Sequence, residues 1–413
     1  MRQVVIGLAA SAVMSLGTLS QAAALTVMNW NMGNRPNDAT DESNLRSIFA
    51  YSGNRLDLLA MAETDRTNDS ANKTASAATA VFGGSYTSLI TGPDGGGDYT
   101  GFVYNTATLT LVSQTTVSGI THPALRAQFR PVGTSGLEDL YVYAVHLQSG
   151  SSGSIRSQRA AQAAILRADA DTLGNANVLF AGDFNWQGAD EGSGTSAYRT
   201  FAAAGPGQAT DPTGQVGSWH ANAAYKSLLT NDPGSNLDDR FDMQLTSGKL
   251  LDGVGLDYKP GSYRVLGNNG SISVGGTVYD NASLPAGLAS AFDTFSDHLP
   301  VLADYHYDLP GDTDGDDDVD FNDFLNLQAN FGTAASDFAH GNFNYDGVTD
   351  FNDFLILQSN FGRSLGSNAV TVTANEYAAV MAMTSATAIP EPISLAWASV
   401  AFAWLPIRRR NRR

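Results

Sequence analysis

Apolar and polar positions along the chain follow two periods. Leu25-Thr26-Val27-Met28-Asn29-Trp30, Leu140-Tyr141-Val142-Tyr143-Ala144-Val145 and Val178-Leu179-Phe180-Ala181 are short β-rich apolar runs, the last ending in a Gly-Asp turn. Their length and flanks predict buried strands. Ser157 to Thr172 is Ala-rich, with Ala161, Ile165 and Leu166 at helical spacing. Strands alternating with helices across 25–306 predict stacked α/β (α+β) layers. Residues 187–236, rich in Gly, Ala and Ser, predict long surface loops. Trp30 and Trp186 read as packing groups.

The pattern changes after residue 310. Phe-Asn-Asp-Phe-Leu occurs at 321–325 and again at 351–355, each time after an acidic loop. The apolar positions that follow predict a helix in each copy. Oxygen-bearing side chains fall at loop positions one, three, five and twelve, the pattern of a calcium loop. They are Asp312, Asp314, Asp316 and Asp323 in the first copy, and Asn342, Asn344, Asp346 and Asp353 in the second. Residues 311–362 hold eleven Asp and neither Lys nor Arg, so bound Ca²⁺ is expected to offset their repulsion. Residues 363–388, rich in Ser, Thr, Ala and Asn, predict a linker or a short weak strand.

Both ends read as processing segments. Arg2, the apolar run Val4–Leu16 and Ala22-Ala23-Ala24 make residues 1–24 a secretory signal. Pro390-Glu391-Pro392 precedes fifteen uncharged residues and an Arg-rich terminus. Fifteen is short of the ~20 a spanning helix needs, and the basic cluster is expected to stay cytoplasmic during transient membrane contact.

Composition narrows the chemistry. The 413 residues contain no Cys, which excludes disulfides, thiolate metal sites and a cysteine nucleophile. Asp plus Glu number 41 against 23 Lys plus Arg. Within 25–306 the counts are 27 and 16, so a basic groove wrapped around nucleic acid is not expected.

Chemistry-bearing residues collect at strand ends. Asn31 follows the first strand and Glu63 follows Leu58–Ala62. His146 ends the Tyr141–Val145 run. Asp183 and Asn185 follow Val178–Ala181. Asp242 lies in Arg-Phe-Asp, and Asp297-His298 opens Ser-Asp-His-Leu-Pro. Polar groups converging from several strand ends are a common way to build a site. Their carboxylate and amide oxygens suit Mg²⁺, Mn²⁺ or Ca²⁺ rather than zinc, and Mg²⁺ or Mn²⁺ is the expected catalytic ion. His122, His220, His306 and His340 belong to no motif, and Asp238-Asp239 reads as a solvated pair.

This ordered set resembles the endonuclease/exonuclease/phosphatase superfamily, deoxyribonuclease I-like, across nearly all of 25–306. The resemblance implies a four-layer sandwich of two β-sheets flanked by helices, and metal-dependent phosphoester hydrolysis. It implies that Asn31, Glu63 and Asp297 serve the metal, that His146 contacts the scissile phosphate, and that Asp183 and Asn185 orient the attacking water. It further implies that Asp242 fixes the tautomer of His298, the general base. Arg159 lies where the family has a helix after the His-bearing strand and is a candidate phosphate contact. The expected substrate is extracellular nucleic acid; a phosphomonoester or phospholipid is the alternative, and a non-catalytic surface or matrix protein a third reading. The repeats resemble a type I dockerin, a small all-α calcium-loop domain, which implies a cohesin-like partner. Two features depart from that pattern: Asp317 stands where the first loop normally has Gly, and Phe-Asn precedes each final Asp. The tail 389–413 resembles a PEP-CTERM sorting signal, which implies processing by an exosortase and residence at the surface, outer membrane or matrix of a Gram-negative bacterium.

Overall fold

The computed structural model describes residues 24–382, apart from 66–68, 93–97, 133, 135, 137, 192–195, 253–254, 308, 315, 317, 335–337, 345 and 365–371. The expected signal segment, save Ala24, and the expected sorting tail lie outside the described residues. Two compact units are present, one covering Ala24–Asp308 and the other beginning at Leu309.

The larger unit contains two mixed sheets. The chain first lays down β1 (Ala24–Asn31), β2 (Leu58–Thr64), β3 (Tyr86–Ile90) and β4 (Tyr99–Asn105). It crosses to the second sheet for β5 (Leu109–Val117), β6 (Ala124–Pro131), β7 (Leu140–His146), β8 (Asn177–Asp183), β9 (Ala209–Thr210) and β10 (Asp242–Ser247). It then returns for β11 (Leu256–Tyr258), β12 (Arg264–Val265) and β13 (Val301–Tyr307). The first sheet runs β11-β13-β1-β2-β4-β3, with β12 beside β13; the second runs β5-β6-β7-β8-β10-β9.

Side-chain alternation sorts each strand between two cores. Met28 and Trp30 of β1 pack on the helices α1 (Ala39–Ser52), α2 (Ser70–Phe82) and α5 (Leu288–Phe295), through Leu45, Phe49, Ala78 and Phe292. Tyr143, Val178 and Phe180 of the second sheet pack on α3 (Gly153–Asp171) and α4 (Ala197–Ala202), through Ala163, Leu166 and Phe201. The other faces meet each other. Phe102 and Phe129 meet edge-on at 5.5 Å. Asn29 Nδ2 donates to Gly182 O at 3.3 Å, and Tyr305 donates to Gln244 Oε1 at 2.7 Å. Two sheets flanked by helices, as expected, result. Gly182 is required there: its φ is 150°, and a Cβ would lie 2.0 Å from Val145 O.

The 187–236 region is more ordered than its composition predicts. It includes α4, β9 and a 3-10 turn at Ala223–Leu228, and Trp186 and Trp219 are both fully buried. Apolar anchors spaced among the small residues account for this.

In the second unit the repeat forms α6 (Phe321–Asn330) and α7 (Phe351–Asn360). Each starts with a reciprocal capping box, Asp320 with Asp323 and Asp350 with Asp353. Phe324 and Phe354 meet edge-on, in a core that includes Leu327, Leu357 and Val380. Ala374–Met381, inside the expected linker, forms a further helix, α8. Thr373 caps it with Glu376, and Val380 is buried in the core. A capping box and one buried apolar residue outweigh the linker-like composition. Among the described residues, no helix is long and apolar enough to cross a membrane.

Candidate active site

The same alternation delivers the polar cluster. In β7 and β8, residues flanking the helix-facing Val145 and Phe180 turn toward the opposite sheet, which puts His146 and Asp183 on the inner face. The strand register makes Asp183 the direct partner of His146 on one side and of Asp242 on the other. Asn31 ends β1 on the facing sheet, and its Nδ2 donates to Asp183 Oδ2 at 3.2 Å and to Glu63 Oε1 at 2.9 Å.

Glu63 reaches this cluster by breaking the rule. Met61 faces the helices, so strict alternation sends Glu63 the same way. Instead its φ is +47°, and the β2–β4 register shifts between Met61 and Thr64. A bulge with left-handed backbone re-aims one side chain at a local cost, a feature that concentrates at functional sites.

Asp183 Oδ2 lies 3.8 Å from the Nε2 atoms of both His146 and His298. His298 Nδ1 lies 2.6 Å from Asp242 Oδ2. Trp30 Nε1 donates to the His298 carbonyl at 2.7 Å, while Ser296 Oγ accepts from His298 N and donates to the Asn31 carbonyl. Thr230 Oγ1 accepts from the backbone N–H of Asp242. The imidazole is thus fixed on ring and backbone.

The charges are unbalanced. Burial lowers the basicity of His298, but the Asp242 and Asp183 carboxylates more than offset it and push its pKa up to about 10. Burial pulls His146 down to about 4, against the opposing charge of Asp183, so it is neutral at pH 7. Burial and Asp183 push the Glu63 carboxyl up, although the Asn31 hydrogen bond opposes them. Glu63, His146 and Asp183 each offer a ligand atom within 4.8 Å of the others. Hard oxygens from Asn31, Glu63 and Asp183, with an excess of negative charge between them, fit a divalent cation.

Asn185 and Asp297 stand differently from the rest. Asn185 has φ +55° and gives its backbone N–H to Asp183 Oδ1 at 2.8 Å, while its Nδ2 donates to Leu147 O. It acts on the cluster through its main chain. Asp297 is exposed and lies outside the ligand group; its carbonyl accepts from Asp232 N.

Arg159 is not brought to the cluster. It is fully buried and forms four hydrogen bonds, two to Glu191 and one each to the carbonyls of Gln148 and Gly150. With four of its N–H groups engaged by the 148–150 turn and Glu191, it braces loops in this structure. The repeat loops bring together Asp312, Asp314 and Asp323, and a second group of Asp318, Asp320 and Asp323. Asp316 accepts from Asp318 N, outside both groups. In the second copy Asn342 and Asn344 accept from Asp346 N, and Asp353 accepts from Phe343 N.

Three site neighbours carried no usable sequence signal. His122, expected to be structural or exposed, stacks on His146 with ring centroids 4.0 Å apart and planes 11° apart. Asn231 Nδ2 lies 3.3 Å from His298 Nε2. Asp98 accepts from Asn34 Nδ2 and bears electrostatically on both Glu63 and His146. None follows an apolar run of the kind that flagged the others.

Three solved structures similar to this chain are distant from it in sequence. An endonuclease/exonuclease/phosphatase from Bacteroides vulgatus is 16% identical, covers 69% of this chain and 99% of its own, with TM-score 0.46. Truncated TDP2 from Caenorhabditis elegans is 16% identical, covers 68% and 97%, with TM-score 0.44. The human Nocturnin catalytic domain with bound sulfate is 16% identical, covers 69% and 94%, with TM-score 0.45. No curated protein matches the chain significantly. A family model does: that of the endonuclease/exonuclease/phosphatase family, over residues 28–298, which spans Asn31, Glu63, His146, Asp183, Asp242 and His298. Members of this family use divalent metals, in keeping with the donor set described above. The chain belongs to the endonuclease/exonuclease/phosphatase family and is a metal-dependent phosphoester hydrolase.

Proposed function

We propose that the protein is an exported phosphodiesterase that cuts extracellular nucleic acid internally, using Mg²⁺ or Mn²⁺. The observation that carries the reading is the placement of Asp183 between two imidazoles, His146 neutral and His298 backed by Asp242. A divalent cation held by Asn31, Glu63 and Asp183 would neutralise phosphate charge, polarise the P–O bond and offset the charge that keeps His298 protonated. His298 Nε2 then takes the proton of the attacking water. Asp242 holds the Nδ1–H tautomer and stabilises the imidazolium that forms. Asp183, held by the Asn185 N–H, orients that water. His146, neutral and opposite Asp183, gives an Nε2–H hydrogen bond to a phosphate oxygen. Asp297, exposed beside His298, adds negative charge at the rim where a cation approaches.

The leader-like residues 1–24 and the Pro-Glu-Pro tail support export and exosortase processing. Paired capping boxes and gathered Asp side chains support a dockerin-like, Ca²⁺-binding second unit with a cohesin-like partner.

Supercoiled plasmid, a phosphomonoester and sphingomyelin, offered in parallel with Mg²⁺ or Mn²⁺, test the substrate. Accumulation of nicked circles supports the endonuclease reading. Turnover of either small substrate alone, with plasmid intact, replaces it.

A further inference from the structure

Outside the active site the fold gathers another set of ligands that sequence spacing does not reveal. His220, Asp238 and Asp239 each offer a donor atom within 4.8 Å of the others. His220 Nδ1 is 2.8 Å from Asp239 Oδ1, a hydrogen-bond distance that need open only to the ~3.4 Å between two ligand atoms each about 2.1 Å from a tetrahedral ion. Asp239 is buried and Asp238 partly so, whereas the His220 side chain is 46% exposed and gives an ion a path in. Among the described residues, no Lys or Arg forms an ion pair with either carboxylate. The segments are held in register by backbone bonds: Ala221 N donates to Asp238 O at 2.8 Å, and His220 N donates to Gln187 O at 3.0 Å. Ala221 takes φ +47°, which a non-glycine residue adopts at a cost.

We infer that His220, Asp238 and Asp239 form a second metal site, selective for a first-row transition ion such as Zn²⁺ over Mg²⁺ or Ca²⁺. Imidazole is the reason. One nitrogen with two carboxylates suits Zn²⁺, Co²⁺ or Ni²⁺, while hard ions prefer oxygen alone. The ion is a clip. It ties the loop around His220 to the segment that enters β10, whose first residue is Asp242. Asp239 O accepts from Thr230 N and Asn231 N, so the clip adjoins the residues that support Asp242 and face His298.

Co²⁺ is the probe. The untagged full chain, stripped by chelator, is titrated with Co²⁺ in excess Mg²⁺ and Ca²⁺, which fill the oxygen sites. Visible d–d absorption and equilibrium dialysis count the ion. One equivalent is expected to bind, to be lost in His220→Ala and in Asp238→Asn, and to persist in Glu63→Gln. Mg²⁺-supported hydrolysis by His220→Ala is expected to stay within about twofold of the parent, which shows that this surface variant folds. Equal Co²⁺ binding by His220→Ala and the parent overturns the site. So does loss of the ion in Glu63→Gln alone, because the ion then belongs to the active-site cluster.

Discussion

Asp183 and Asp242 are direct partners across the antiparallel β8–β10 pair, so a single inter-strand spacing separates the carboxylate facing Asn31 and Glu63 from the one holding His298. Two neighbouring acids thereby take different work. Asp242 is sealed in and spends one oxygen on imidazole. Asp183 stays close to every other polar member of the cluster.

Removing the imidazole tests the proton-transfer role. His298→Ala is expected to lower kcat about 10²–10⁴-fold, the usual range for a general base. Asp242→Asn is expected to lower it by a comparable factor, because an amide no longer selects the Nδ1–H tautomer. Steady-state kinetics on both purified variants, with circular dichroism to confirm folding, checks this.

Glu63 has opposite expected effects with and without metal. Its carboxyl is pushed up by burial and by Asp183, so the charged form is disfavoured in the metal-free fold. Glu63→Gln is expected to leave Tm unchanged or higher in chelator, while weakening metal affinity and abolishing the Tm gain that Mn²⁺ gives the parent. Thermal melts with and without Mn²⁺ read both signs.

The acidic repeat predicts a pH dependence. Burial, then neighbouring Asp charges, push Asp318 from 3.8 up to about 6. Burial and Asp314 do the same to Asp323, against the loop amides that favour its charge. Both folded pKa values lie above the unfolded ones, so between about pH 4 and 6 the folded state binds more protons. Stability of the metal-free unit therefore falls as pH rises through that window. Amide exchange across α6 in chelator is expected to be faster at pH 7 than at pH 4.5 after correction for intrinsic rates. Added Ca²⁺ should remove most of the difference.

Gly182 allows β7 and β8 to close. Gly182→Ala places a methyl against Val145 O at the point where His146 and Asp183 are aligned. A loss of about 3 kcal/mol is expected in urea unfolding, together with lost metal affinity.

Much of the site was legible because strand ends announce themselves. Asn31, His146 and Asp183 each follow or end a recognisable apolar run, and alternation turns all three inward. Glu63 also follows an apolar run, Leu58–Ala62, but its aim depends on a left-handed backbone that no periodicity encodes. Asn231 and His122 approach from loops whose paths are set by tertiary packing, so nothing local marked them. Arg159 shows the converse: its helix is readable in the sequence, but its burial against Glu191 depends on a loop more than thirty residues further along. His220 belongs to no motif and Asp238-Asp239 reads as a solvated pair, so only the fold brings the three together.

Plasmid nicking by the metal-stripped full chain, with Mg²⁺ or Mn²⁺ restored, beside His298→Ala under the same conditions, decides whether a bound divalent ion and His298 carry the hydrolysis. The proposed mechanism requires no cleavage without metal, conversion of supercoiled to nicked circles with it, and near-loss of that conversion in the variant. Cleavage by folded His298→Ala at the parent's rate, or undiminished cleavage in chelator, would contradict it.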